Sequence, residues 1–156
     1  MKKILYKTMA LGAFSGMRSM AGPTLVSHFV CKDKNSPLKH TPLRLLGNEN
    51  VALLLKGLAG GELVGDKLPS APDRIAAPSL VVRGASGALV GAAVYLMHDG
   101  KGLHGAFVGA TAAIGATFAS FYLRKYLSEH TSLADPILGA LEDALVVGGG
   151  LKAAQL

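Results

Sequence analysis

Between Gly102 and Leu123 the chain runs for 22 residues without an Asp, Glu, Lys or Arg. At 1.5 Å per residue, a helix of that length is about 33 Å long, matching the ~30 Å hydrocarbon core of a bilayer. A soluble protein can hide such a helix only inside a large core with ample polar surface around it. This chain has 156 residues, of which 50% are hydrophobic and 17% charged, against about 25% charged in an average soluble domain. The stretch therefore points to lipid as the solvent.

The remaining apolar runs are punctuated in the same way. Segments are expected over residues 4–31, 51–68, 78–97, 102–123 and 133–151, in a single domain spanning 1–156. The first is long enough to span with a tilt, and Gly22-Pro23 is expected to kink it. Residues 32–50 are polar and hold Pro37, Pro42 and Gly47. They read as a loop with a short surface helix around Leu43 to Leu46. The apolar part of the second segment, Val51 to Gly65, has 15 residues, or about 22 Å of helix. It is either a half-helix or a span that reaches its length through Asp66 and Lys67. Arg124 and Lys125 are expected to end the fourth segment at an interface. The fold class is thus an all-α, polytopic transmembrane bundle with four or five membrane segments.

Charge and cysteine content narrow the partners. The formal net charge is +6, but Lys2, Lys3, Lys7, Lys32, Lys34, Lys39 and Arg44 sit mainly at segment ends, where anionic lipid headgroups account for them. No basic run interleaved with aromatics appears, so nucleic acid is not expected as a partner. Cys31 is the only cysteine, which excludes an internal disulfide and any CxxC motif. Met1-Lys2-Lys3 imitates the start of a signal peptide. Arg18, just before the small residues Ser19-Met20-Ala21, and the apolar continuation to Cys31 favour a retained helix.

Small residues recur at intervals of four. Gly84, Ala88 and Ala92 are flanked by Gly87 and Gly91, and Gly105, Gly109 and Ala113 follow in the next segment. This spacing puts them on one helical face, where backbones can approach closely. They are expected to pack helices within the monomer or, alternatively, to form a homo-oligomer interface.

Charges inside apolar segments are the sharper signal. Arg18, Lys56, Glu62, Asp66, Lys67, Arg83, Glu142 and Asp143 lie within or beside them. Each costs about 2.5–3.5 kcal/mol at the centre of a membrane helix, so they should face one another or internal water. Arg18 is expected to pair with the acidic pair of the last segment, chiefly through Glu142, which lies at matching depth. Glu142 and Asp143 are adjacent and diverge by about 100°. Two uses fit these charges. Arg18, Glu62, Asp66, Lys67, Arg83, Glu142 and Asp143 can form a binding site or pathway for a small solute, ion or lipid. Alternatively they only lock helices together in a structural membrane scaffold. The carboxylates could attract a hard cation, but no residue pattern marks a metal site and no cofactor is expected. Gly-x-Ser-x-Gly, His-Glu-x-x-His and a phosphate-binding Gly-Lys-Ser/Thr are all absent from the sequence, so an enzyme is not expected.

The same charged positions carry a family resemblance. Gly16-Met17-Arg18, followed by Pro23, resembles the opening motif of a domain-of-unknown-function family of small multi-pass bacterial membrane proteins. Glu62-Leu63-Val64-Gly65-Asp66-Lys67-Leu68-Pro69 is similar to that family's Glu-x-x-x-Asp-Lys-x-Pro. Arg83-Gly84-Ala85-Ser86-Gly87-Ala88-Leu89 resembles its Arg-Pro-x-x-Gly-Ala-Leu, with Gly84 in place of the proline. Asp135-Pro136 and Leu141-Glu142-Asp143 resemble its closing Asn-Pro and Leu-Glu-Asp, with Asp135 in place of the asparagine. The resemblance implies an all-helical protein integral to the bacterial inner membrane, with the lipid bilayer as its partner, and implies no known activity.

Overall fold

The computed structural model describes residues 2–33, 36–65, 75–130 and 135–155. Among these the chain is all α, with no strand. The helices are α1 (Lys2–Met17), α2 (Ala21–Lys32), α3 (Glu49–Gly65), α4 (Ala77–Leu96), α5 (Gly102–His130) and α6 (Asp135–Gln155). Short 3₁₀ turns at Pro37–His40 and Pro42–Gly47 join α2 to α3. They do more than cross a polar loop, because Leu38 and Leu46 are buried with Val26, Val30 and Val94. Among the described residues, α4 and α5 are the two helices long and apolar enough, by length and composition, to cross a membrane.

Glycine sets the innermost layer. α4 and α5 form an antiparallel hairpin whose turn holds Asp99 in the left-handed region (φ 54°). A Cβ on Gly87 would fall on the Gly109 carbonyl, and one on Gly91 on the Gly105 carbonyl. α1 lies along the same face of α5: a Cβ on Gly12 would stand 2.7 Å from Gly109 O, and one on Gly16 would strike the Ala113 backbone. Three backbones thus approach within distances that any side chain would hold apart. Gly84 is looser, meeting only the Ile114 side chain at 3.6 Å. α2 and α6 pack against this trio and against each other, and α3 lies outside them, against α2 and the second 3₁₀ turn.

The chain departs from the expected elements in two places. The first apolar segment is two helices, and the interruption falls at Arg18–Met20 rather than at Gly22-Pro23. A proline disrupts a helix one turn upstream, since it lacks the N–H for the carbonyl four residues back and its ring collides with that carbonyl. For Pro23 that residue is Ser19. Pro23 itself then sits comfortably in the first turn of α2, where no intrahelical donor is required. α5 also continues past Arg124 and Lys125 to His130, because two cations do not terminate a helix without a glycine or proline behind them.

Candidate functional site at the helix break

An interrupted helix leaves carbonyls without donors at one side and N–H groups without acceptors at the other. The charges identified in the sequence gather on these groups. Arg83, buried on α4, donates from Nη1 to Gly16 O at 2.6 Å and to Met17 O at 2.8 Å, and from Nε to Ser79 Oγ at 3.1 Å. It covers the negative end of α1. Glu62 on α3 covers the positive end of α2. Its Oε1 accepts from Ser19 N at 2.8 Å and Ser19 Oγ at 2.7 Å, and its Oε2 from Met20 N at 3.0 Å. The signs follow the helix dipole: a cation at a C-terminus and an anion at an N-terminus. Arg83 Nη2 and Glu62 Oε1 are 3.9 Å apart, so the two caps also attract each other across the break.

Arg18, inside the break, pairs with α6. Its Nε lies 2.8 Å and its Nη2 2.6 Å from Asp143 Oδ1. The expected acidic pair is therefore the right one, but the guanidinium is held by Asp143 rather than Glu142. The roughly 100° between neighbouring helical positions decides this. Glu142 is turned to the other flank of α6, where it lines a hollow with Met17, Arg124 and Leu145. Nε and Nη2 of Arg18 share this single Asp143 oxygen.

The structure thus brings Arg18, Glu62, Arg83 and Asp143 together. Lys56 is not with them. It is exposed on α3, beside a shallow hollow lined by His28, Lys32 and Glu49. Asp66 and Lys67 lie outside the described residues. Two contributors escaped the sequence reading. Thr117 on α5 places its hydroxyl 2.9 Å from Gly16 O, and Ser19 supplies both its amide and its hydroxyl to Glu62. A lone hydroxyl among Gly and Ala residues carries no pattern of its own, although Thr117 continues the four-residue stripe through Gly105, Gly109 and Ala113.

Beside the break lies a half-open cleft of about 300 Å³ between α2, α3 and α6. Arg18, Glu62 and Asp143 reach it, and Ala21, Leu25, Ala59, Val146 and Val147 make its walls almost wholly apolar. Among the described residues no three His, Cys, Asp or Glu side chains converge as a metal site would require.

No curated protein and no solved structure matches the chain. The motifs around Arg18, Glu62, Arg83 and Asp143 that meet at this break all fall within residues 5–156, the stretch matched by the model of a domain of unknown function, DUF4126, and the chain belongs to that family.

Proposed function

We propose that this is a multi-pass membrane protein whose buried charges act as a lock, holding an interrupted helix in one geometry against its neighbours. The observation that carries the reading is the use each charge is put to. Arg83 and Glu62 cap the two helix ends, and Arg18 is tied to Asp143. Charges committed to backbone groups and to one another fit a structural scaffold better than a hydrated route for a solute, and the apolar cleft walls favour the scaffold as well. Lipid as the surrounding solvent is supported by α5, whose most apolar 18-residue window is only 17% buried. Leu103, Phe107, Tyr122 and Leu123 stand exposed along it. In water so long an apolar face would drive aggregation. In a bilayer it is the ordinary outer surface of a helix.

A double-mutant cycle tests the lock. Arg18→Ala and Asp143→Ala should each lower stability, by at most about 3–5 kcal/mol, because each removes one side of a largely buried ion pair. The double variant should lose less than the two together, by about 1 kcal/mol or more. Unfolding midpoints in detergent provide the measurement. Strict additivity would remove the Arg18–Asp143 lock from the account. Ion or solute flux in proteoliposomes that stops on Arg18→Ala while the fold survives would favour the pathway instead.

A further inference from the structure

The cleft beside the break has a polarity that the lock leaves unused. Three charged groups line it, Arg18, Glu62 and Asp143, and they sum to one negative charge among the described residues. Arg83 balances Glu62 from outside the cleft, with its own donors directed at Gly16 O, Met17 O and Ser79. Asp143 is the more telling group. Arg18 approaches only its Oδ1, and among the described residues Oδ2 takes no donor. The side chain is 23% exposed, and Val146 and Val147 continue the same wall of the cleft. A carboxylate oxygen with a free lone pair beside apolar walls favours a donor, and a charged donor binds about twice as strongly as a neutral one. The volume of about 300 Å³ lies at the lower end of the ~300–1,000 Å³ typical of small-ligand sites, which combine apolar walls with a few polar groups.

We infer that this cleft binds a single-chain cationic amphiphile, its aliphatic chain along Leu25, Ala59, Val146 and Val147 and its protonated amine on Asp143 Oδ2. A carboxylate head brings no donor to Asp143 Oδ2 and repels it, and the open acceptor disfavours any head without an N–H or O–H. The inference goes beyond the lock and requires no transport.

The chain contains no tryptophan, so Val147→Trp places a single tryptophan, excited apart from the tyrosines, at the cleft. The full-length variant, in an uncharged detergent, is titrated with brominated chains of one length bearing an amine, an alcohol or a carboxylate. The amine should quench saturably, with an apparent Kd roughly tenfold below that of the alcohol, and the carboxylate should show no saturation. Asp143→Asn in this background retains an acceptor for Arg18 and should bring the amine to the alcohol's level. Ala59→Phe leaves every charge in place, fills the cleft, and should abolish saturable quenching. Equal, unsaturable quenching by all three chains would mean that the cleft holds only surrounding lipid or detergent, and would overturn the inference. So would amine binding that survives Ala59→Phe. If Asp143→Asn fails to fold, the headgroup series and Ala59→Phe still decide. The Arg18–Asp143 cycle reads stability without ligand, so failure of the lock and failure of this site are separately visible.

Discussion

Gly109 takes part in two close helix contacts at once. Its missing side chain lets α5 meet Gly87 and Gly91 of α4, while its carbonyl lies against Gly12 of α1. Gly109→Leu should therefore lower the thermal midpoint in detergent far more than Phe107→Leu, whose side chain is 72% exposed. Overpacking costs about 1–3 kcal/mol where neighbours can shift, and a Cβ on Gly109 would meet the Gly87 and Gly91 backbone of α4, so the effect belongs at or above the top of that range. Equal midpoints would show that the close approach is not what holds the trio together. The four-residue stripe was legible in the sequence because small residues at that spacing have one common use. It did not reveal that Gly109 serves two helices at once, since a stripe has no record of how many partners it meets. The choice of Asp143 over Glu142 was hidden for a similar reason. Depth along a helix can be counted from the sequence, whereas rotation about its axis is fixed by packing against α1 and α2.

Among the elements, the interruption between α1 and α2 is where the sequence spoke most indirectly. Pro23 announced a disturbance, and its steric effect one turn back placed the break at Ser19. The caps on that break come from α3 and α4, more than forty residues away in sequence, and no local pattern links them to it. Glu62→Gln tests the capping role. The amide retains one oxygen acceptor but loses the charge that answers both the α2 N-terminus and Arg83. The loss should be about 1–2 kcal/mol, within the range for removing a charged cap at a partly buried helix end. Hydrogen–deuterium exchange should show it as faster exchange confined at first to amides of residues 19–24, with the α4–α5 hairpin unchanged. Uniform acceleration along the chain would mean that Glu62 supports the whole fold rather than the start of one helix.

For the molecule as a whole, the helical class and the order of the helices were readable from the apolar runs, and the charged motifs marked the positions that converge. The layering was not readable, because every helix is apolar on several sides and so points to no preferred neighbour. The proposed membrane residence makes a blunt prediction at this scale. The protein should remain in the pelleted membrane fraction under alkaline carbonate and leave it only with detergent, as the apolar exposed face of α5 requires. Recovery in the carbonate supernatant would refute both the proposed lock in lipid and the reading of that face.

The Arg18–Asp143 pair joins residues 125 positions apart, and that separation has a consequence for biosynthesis. Chains grow from the N-terminus at about 5–20 residues per second, so Arg18 is made roughly 6–25 s before its counter-ion. During that interval the break lacks its tie to α6, while Glu62 and Arg83, which arrive earlier, can already cap the two helix ends. The Arg18–Asp143 contact can thus form only after α6 has been made. A chain that stalls before α6 therefore has its helix break capped by Glu62 and Arg83 but lacks the Asp143 contact that ties Arg18 to the last described helix.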